Sequence, residues 1–446
     1  MKILWIDDEI DLLKPFIYLL QQEGYEVKTA PSGEDGATLA SKEVFDLVFL
    51  DEIMPGVDGL EVLRKIKNEN SQQLVVMITK SEEEDIMKKA YGGWVDDYIT
   101  KPFSFNQLLS VLNRTLKRRV IIAEKMNEEY ATQFRTHTAP ADYNEWVEYY
   151  RTIVSWDLRL LEFGNKSLKE IQEERKREAN AGFAKYIETQ YTDFIKGKGP
   201  VLSQNLFSNH IFPILKDGPL HIIIFDSMRL DQYFKISPYL RDFFEINTQF
   251  YYSVLPTATP YSRNALFAGL LPLEIVRKLP QYWSFESKGQ NRFEKELFRE
   301  QLNRHNLRLK FSYYKLSSIQ EIARNIQKIS NDKADICITV INFFDLLIHS
   351  IPGRDNMKGM LDDERVFLNL LSYWFPISPI FELLKNISRK DCRIVLTTDH
   401  GFIRVRRPSI IYGGRSISPN LRYKDGPAHR IDKKTAWLLN NPGELS

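Results

Sequence analysis

The feature that most constrains the fold of this chain is a set of three apolar runs, each ending in side chains that can bind a metal ion. The runs are HIIIFDSMRLD, ADICITVINFFDLLIH and DCRIVLTTDHG, and they deliver Asp226, Asp345 and the pair Asp399 and His400. Each run predicts a buried parallel strand, and open α/β sheets collect their ligands at the carboxyl ends of such strands. We therefore predict an α/β domain with a metal site at one edge of its sheet.

A second α/β unit is predicted at the start of the chain. Its strands come from the segments MKILWIDDE, LVFLDEIMPGVDG, VVMITK and DDYITKPF, with helical stretches between them over residues 1–118. A repeated βα pattern of this kind is typical of a doubly wound domain. The predicted fold class is thus α/β, with a doubly wound domain over residues 1–118 and a larger α/β domain over residues 206–446.

Residues 119–205 have a different pattern, which is long, polar and helix-favouring. In NEWVEYYRTIVSWDLRLLEF, the apolar side chains Ile153, Trp156 and Leu160 recur at helical spacing with charges between them. An amphipathic helix of a bundle has this spacing. We predict a helical-bundle connector here, followed by a hinge at KGKGP.

Composition excludes some classes of protein. The formal net charge is only +2, which argues against a generally polybasic binder of nucleic acid or membranes. Only two cysteines occur, Cys337 and Cys392, both at or beside predicted strands, so a disulfide framework is not expected. Because we find no leader peptide and no apolar stretch long enough to span a bilayer, we expect a cytoplasmic protein without membrane insertion.

The first domain resembles the receiver domain of two-component response regulators, and every main motif is present. The matching residues are Asp7 and Asp8 in WIDDE, Asp51 in VFLDEIMPG, Thr79 in VMITK, and Lys101 before Pro102. The resemblance implies that Asp51 is the phosphorylation site. It also implies that Tyr98 occupies the aromatic switch position of such domains.

The chemistry of these residue types agrees with that resemblance. Three carboxylates at neighbouring strand ends repel one another, and Mg²⁺ relieves the repulsion by taking oxygen ligands. Asp51 can then attack a phosphoryl donor and form an acyl phosphate. We expect Lys101 and Thr79 to bind the phosphoryl oxygens.

In the last domain, the spacing of polar residues favours zinc. Asp345 and His349 lie four positions apart, on one face of a helical turn. A mixed set of carboxylates and imidazoles suits Zn²⁺, and as a second choice Mn²⁺, better than Mg²⁺. Between the first two strands, PTATPYSRNALFAG places the hydroxyl of Thr259 just ahead of a predicted helix, where helix amides favour a bound phosphate.

The order of these residues resembles the PglZ-type branch of the alkaline phosphatase superfamily. Carried over by position, the resemblance implies two Zn²⁺ ions, the first held by Asp226, Thr259, Asp399 and His400, the second by Asp345, His349 and His429. The segment PTAT also resembles the PTxT stretch of nucleotide pyrophosphatases, which favours Thr259 over Thr257 as the nucleophile. By the same resemblance, Asn264 is the candidate phosphate-binding amide, and Arg263 is an alternative phosphate clamp.

The three-part order of the whole chain resembles response regulators linked to type IX protein secretion. This implies a cognate histidine kinase, secretion-motor or sigma-factor partners, and a homodimer that forms on phosphorylation. A Thr nucleophile favours phosphodiester substrates, including linear or cyclic oligonucleotides. The alternative is a non-catalytic signalling adaptor whose metal-bound effector domain binds those partners. A DNA-binding transcription factor is not favoured, because no recognition helix or basic patch is evident.

Overall fold

The computed structural model describes residues 1–70, 72–80, 94–135, 140–163, 166–284, 289–342, 364–403, 409–413, 423–424, 429–430 and 436–439. The chain forms two compact units. One comprises Met1–Thr138 and Glu162–Ile171, and the other comprises Ala139–Leu161 and Gln172–Ser446.

The first unit is built around a parallel sheet of five strands in the order β2-β1-β3-β4-β5. The strands are β1 (Lys2–Ile6), β2 (Glu26–Ala30), β3 (Leu47–Asp51), β4 (Val75–Thr79) and β5 (Asp97–Thr100). The helices described between and after them are α1 (Ile10–Gln22), α2 (Gly33–Lys42), α3 (Gly59–Glu69) and α4 (Phe105–Arg135). This confirms the predicted doubly wound fold.

Alternating side chains of the sheet fill two cores, one on each face. Ile3 and Trp5 of β1 pack on the face covered by α1 and α4, where the rings of Trp5 and Phe49 lie 5.0 Å apart. Leu4 and Ile6 pack on the opposite face, against α2 and α3. The central strands are apolar except at their end residues, because both of their faces are buried.

The predicted connector is helical. Helix α4 runs on to Arg135, and α5 (Tyr143–Phe163) and α6 (Lys166–Ile195) follow it. Trp156 of α5 is fully buried, as its spacing predicted. In the second unit, Gln172 Nε2 of α6 donates to Asp157 Oδ1 of α5 at 2.8 Å, and Lys176 Nζ pairs with Asp157 at 2.9 Å.

The second unit contains a parallel sheet of four strands in the order β7-β8-β6-β9. The strands are β6 (Leu220–Phe225), β7 (Phe311–Leu316), β8 (Ile336–Ile341) and β9 (Arg393–Thr398). Its helices are α7 (Leu230–Leu240), α8 (Thr259–Ala268), α9 (Pro272–Lys278), α10 (Glu294–Arg304), α11 (Ile319–Ser330), α12 (Glu364–Trp374) and α13 (Pro379–Ile387). Every residue of β6 and β8 is buried, as the apolar runs predicted. The third run was predicted as a buried strand as well, and this was wrong: β9 ends the strand order of the described sheet, and its residues are half-buried or exposed.

Helices cover both faces of this sheet. Helices α7, α11, α12 and α13 pack on the face of Ile223 and Phe225, while α8, α9 and α10 pack on the face of Ile222 and Ile224. Cys337 is buried within β8, Cys392 is half-buried before β9, and both are free thiols. A two-residue strand β10 (Tyr412–Gly413) pairs antiparallel with β11 (His429–Arg430).

Within the part of the chain that the structure describes, no single helix is long and apolar enough to cross a membrane. Helices α12 and α13, with the turn between them, pass that test only as a pair bent by 50°.

Candidate functional site

The acidic cluster of the first unit lies where its sheet changes winding direction. Strand β1 pairs with β2 on one side and with β3 on the other. A crevice opens at the carboxyl ends of such strands. Asp7 and Asp8 follow β1 and Asp51 ends β3, and one ligand oxygen from each lies within 4.8 Å of the others.

The ammonium of Lys101 lies between two of these carboxylates. Its Nζ is 3.0 Å from Asp7 Oδ2 and 3.0 Å from Asp51 Oδ1. Burial raises the pKa of Asp51, repulsion by Asp7 and Asp8 acts in the same direction, and the bond from Lys101 opposes the shift. Burial disfavours the charge on Lys101, but its bonds to Asp51 and Asp7 outweigh burial and raise its pKa.

This cluster fits a divalent cation. Three carboxylates face one ammonium, so two negative charges remain uncompensated, and oxygen ligands are those that Mg²⁺ prefers. The start of α3 packs closely against the end of β3, which carries Asp51. A Cβ added at Gly59 would meet the Asp51 carbonyl.

The remaining receiver residues lie beside the cluster. Thr79 ends β4 and is buried, and its hydroxyl donates to the Glu52 carboxylate. Tyr98 lies on β5 opposite Met77 of β4 and is half-buried against the core on that face. No role for Glu52 follows from the sequence, because an acidic residue beside the acceptor carries no distinctive pattern.

The polar cluster of the second unit also lies at the carboxyl edge of its sheet. Strand β6 is central and pairs with β8 on one side and β9 on the other. Asp226 follows β6, and Asp399 and His400 follow β9. One ligand atom from each lies within 4.8 Å of the others. The structure therefore brings together three of the ligands expected from the sequence.

Backbone amides hold Asp399 in place. Its Oδ1 accepts from the amide of Ser227 at 3.1 Å and from the amide of His400 at 2.9 Å. Ser227 has a φ of 59°, an uncommon left-handed conformation for a residue with a side chain. Asp399 is fully buried. Burial raises its pKa, repulsion by Asp226 adds to the shift, and Arg263 and His400 act against it.

Thr259 is the first residue of α8, and its hydroxyl faces the same cluster. Its Oγ1 lies 2.9 Å from His400 Nε2 and 3.3 Å from Asp226 Oδ1. His400 Nδ1 lies 2.7 Å from the Gly401 carbonyl, which can only accept, so Nδ1 carries the proton of the neutral ring. The lone pair of Nε2 therefore faces Thr259.

Arg263 lies among carboxylates. It is one turn along α8 from Thr259, and its guanidinium is 2.9 Å from Asp226 Oδ2 and 2.7 Å from Glu294 Oε1. Burial is the largest single effect and acts to lower the pKa of Arg263. The combined attraction by Glu294, Asp399 and Asp226 outweighs burial, so the pKa is raised. Glu294 is buried, yet the sequence analysis missed it, because FEKELFREQL has the charge pattern of an ordinary surface helix.

Asn264 is buried in α8 and contacts a neighbouring loop. Its Nδ2 donates to the Gln290 carbonyl at 3.1 Å, and its Oδ1 accepts from Asn291 Nδ2 at 3.1 Å. That loop and α8 border an open pocket of about 330 Å³. The pocket is lined by Thr259, Pro260, Gly289, Gln290, Asn291, Arg292 and Lys315.

The second cluster fits a zinc ion. Two carboxylates and an imidazole form a donor set that zinc accepts, and Asp399 Oδ2 is buried without a hydrogen-bond partner among the residues that the structure describes. Two further predicted ligands, Asp345 and His349, lie outside the described residues. For His429 the structure describes only the main chain, in the strand paired with β10.

Three family models match consecutive parts of the chain. The response regulator receiver domain matches residues 3–113, the PorX response regulator linker domain matches residues 120–195, and the BREX system PglZ alkaline phosphatase-like domain matches residues 206–426.

Individual relatives match the receiver part alone. The response regulator ArlR of Staphylococcus aureus is 35% identical over 119 residues, which are 26% of this chain and 53% of that protein. The chain thus spans about half the length of the curated relatives it matches.

Solved structures match the same region. A CheY-like receiver domain protein from Methanospirillum hungatei is 27% identical with a TM-score of 0.25, covering 26% of this chain and 94% of that one. A receiver domain protein from Clostridium thermocellum is 30% identical with a TM-score of 0.26. The match covers 27% of this chain and 98% of that one.

The fold, the acidic cluster and the receiver match together define a response regulator receiver domain. The chain joins this domain through a PorX-type linker to a PglZ alkaline phosphatase-like domain. It therefore has the composition of a two-component response regulator with a phosphatase-like effector, which supports the architecture predicted from the sequence.

Proposed function

We propose that the effector domain is a zinc-dependent phosphodiesterase whose nucleophile is Thr259 and that phosphorylation of Asp51 controls it. The observation that carries the proposal is the convergence of Asp226 Oδ1 and His400 Nε2 on the Thr259 hydroxyl, at 3.3 and 2.9 Å. Both atoms are also proposed zinc ligands, so the hydroxyl lies beside the atoms that would hold the metal, and metal coordination is one way in which hydroxyl nucleophiles are activated.

In the proposed reaction, Thr259 Oγ forms a bond to phosphorus while the bond to the leaving oxygen breaks. The product is a covalent phosphothreonine, which water then hydrolyses to release the second product and regenerate the hydroxyl. Asp226 Oδ1 and His400 Nε2 hold the hydroxyl at the first residue of α8, where free helix amides favour the anionic phosphate.

Two zinc ions complete the proposed site. Asp226, Thr259, Asp399 and His400 would hold the first, and Asp345, His349 and His429 would hold the second. Bound zinc supplies charge neutralisation at the phosphoryl oxygens and lowers the pKa of the attacking oxygen. The buried Asp399 Oδ2, which accepts no hydrogen bond from the described part of the chain, supports the first of these positions.

In this proposal, phosphorylation of the receiver domain regulates the effector. We propose a cognate histidine kinase of the PorY-like type as phosphoryl donor, Mg²⁺ at Asp7, Asp8 and Asp51, and Lys101 with Thr79 as ligands of the phosphoryl group. The PorX linker match supports a role in type IX protein secretion, with secretion-motor or sigma-factor partners in the cytoplasm. Linear or cyclic oligonucleotides are the proposed substrates.

Turnover of a chromogenic diester tests the nucleophile. Protein stripped of metal should be inactive on bis-p-nitrophenyl phosphate, and zinc should restore cleavage, with less activity on the mono-ester. Thr259→Val removes the attacking oxygen but keeps the shape of the side chain. We expect it to lower kcat at least about a thousandfold.

The matched control is Thr257→Val, two residues away in the same segment, which should keep most of the activity. Zinc content measured on each variant separates loss of the nucleophile from loss of the metal. Full activity of Thr259→Val would refute the nucleophile assignment. Absence of turnover in zinc-loaded wild type would favour the adaptor.

A further inference from the structure

The pocket beside Thr259 is closed on one side by a short loop, Gly289 to Arg292, that hydrogen bonds fix to α8. Asn291 Nδ2 donates to the Thr259 carbonyl at 3.2 Å, and Asn264 bonds to both Gln290 and Asn291. Lys315 Nζ, on β7, donates to the Asn291 carbonyl at 3.0 Å. The loop is therefore tied both to the candidate nucleophile and to the neighbouring sheet.

The lining of the pocket is strongly biased in charge. Two of its side chains are cationic, Arg292 and Lys315, and none of the lining residues is acidic. Lys315 is partly neutralised by Glu294 at 3.3 Å. Among the residues that the structure describes, Arg292 has no carboxylate partner, and its guanidinium stacks 4.6 Å from the centre of the Phe293 ring.

A stacked and unpaired guanidinium is suited to bind an anion. Stacking restrains the planar group, and its parallel N–H donors match two oxygens of a phosphate. Gln290 and Asn291 line the same pocket. Its volume of about 330 Å³ lies within the range of small-molecule sites, and Thr259 itself forms part of its wall.

Resting on the phosphodiesterase function proposed above, we propose that this pocket is a subsite for a second phosphate, with Arg292 and Lys315 as its specificity-determining cations. A diester whose scissile phosphorus meets Thr259 Oγ extends one substituent into the pocket, and a phosphate on that substituent meets both cations. The preferred substrates are therefore diesters that carry a further phosphate, such as a strand of nucleotides or a nucleoside polyphosphate.

A pair of chromogenic esters isolates the second phosphate. The p-nitrophenyl ester of a nucleoside monophosphate is compared with the same ester phosphorylated on the other sugar hydroxyl. Zinc-loaded wild type should cleave the second ester with a kcat/KM about tenfold higher, the size expected for one charged hydrogen-bonding contact. Arg292→Gln and Lys315→Met should each reduce the ratio of the two kcat/KM values, because each variant loses a contact that only the second ester makes.

Arg292→Lys keeps the charge and should retain part of the preference. The matched control is Arg299→Gln, because Arg299 is also exposed and stacks on an aromatic ring, Phe311, but does not line the pocket. The subsite is disproved if wild type shows no preference, or if Arg292→Gln slows both esters equally.

Binding gives a readout that does not depend on turnover. A nucleoside bisphosphate and a nucleoside diphosphate are titrated into zinc-loaded wild type and Arg292→Gln by calorimetry. Tighter binding of the bisphosphate identifies a strand phosphate as the ligand, tighter binding of the diphosphate identifies a polyphosphate, and in both cases the variant should bind at least about tenfold more weakly. If wild type cleaves neither ester, the phosphodiesterase proposal fails. If wild type binds neither nucleotide, or if Arg292→Gln binds both nucleotides as tightly as wild type does, the subsite proposal fails.

Discussion

The carboxylate of Glu294 shows how a single buried charge can organise a site. It is 1% exposed and accepts from Arg263 Nε at 2.7 Å, from Lys315 Nζ at 3.3 Å and from the Tyr313 hydroxyl. Burial, together with Glu294, raises the pKa of Tyr313, so this phenol stays a donor. The Glu294 carboxylate also holds the Arg263 guanidinium in place, and this guanidinium pairs with Asp226.

Removing this carboxylate should be costly. Glu294→Ala leaves Arg263 buried with one partner fewer, and breaking a buried ion pair from one side typically costs about 3–5 kcal/mol. We expect the free energy of unfolding of metal-free protein to fall by roughly 3 kcal/mol. Urea denaturation followed by circular dichroism measures the change.

The control for this experiment is Glu300→Ala in the same helix. In the described part of the chain Glu300 makes no hydrogen bond or ion pair, and its charge only attracts Arg304 of the same helix, so its loss should change stability by less than about 0.5 kcal/mol. Equal effects of the two substitutions would show that the network around Glu294 adds nothing to stability.

At the scale of elements, strand ends were the predictable part of the sites. The runs HIIIF and RIVLTT both predict strands, and the residue after each strand must lie at the sheet edge, so Asp226 and Asp399 could be placed from the sequence although only the first strand is fully buried. Contacts between residues of different elements could not be predicted from the sequence. Glu294 pairs with Arg263 over 31 positions, and the loop of Asn291 reaches Thr259 over 32, without any local signal in the sequence.

The helical connector shows a similar limit. Its helices were predictable because apolar residues recur at helical spacing, but the extent of α4 was not, since its 31 residues contain no stop signal near residue 118. A change of domain does not require a change of secondary structure. Sequence periodicity gives the type of an element more reliably than its ends.

The start of α11 offers a test at this scale. Ser318 caps the helix by accepting from the Glu321 amide at 3.1 Å, and Glu321 reaches back to the Ser317 amide at 2.7 Å. Loss of such a cap typically costs about 1 kcal/mol. Ser318→Ala should therefore speed hydrogen exchange in the first turn of α11 by roughly fivefold, as measured by mass spectrometry.

Ser388→Ala provides a comparison, because Ser388 donates to the Lys385 carbonyl at the end of α13 and caps no helix start. In Ser388→Ala, the peptide at the end of α13 should exchange its amide hydrogens at the wild-type rate. Unaltered exchange at α11 in Ser318→Ala would mean that packing of its buried isoleucines, and not the cap, holds that end.

For the whole molecule, the main expectation is a change of oligomeric state. Phosphorylation adds an anion that Lys101 and Thr79 can bind, and Thr79 must then exchange its present bond to Glu52 for the phosphoryl group. We expect beryllofluoride with Mg²⁺, which mimics the acyl phosphate, to double the mass measured by light scattering.

Asp51→Asn removes the acceptor carboxylate, so its mass should stay constant under the same conditions. An unchanged mass of wild type with the mimic bound would rule out the dimer switch. The same samples, assayed on a diester, would report whether the receiver controls catalysis.

The strand order of the effector has a consequence for how the protein is made. Strand β6, which carries Asp226, pairs with β9, which carries Asp399 and His400, yet more than 160 residues separate them. Chains fold from the N-terminal end as they leave the ribosome, and distant pairings in parallel sheets form late. The receiver sheet is complete once β5 has emerged, whereas the effector cluster cannot assemble until β9 has been synthesised. Translation that stops before β9 therefore yields a complete receiver sheet without the cluster of Asp226, Asp399 and His400. Under the function proposed above, such a fragment would compete for phosphoryl groups without hydrolysing a diester.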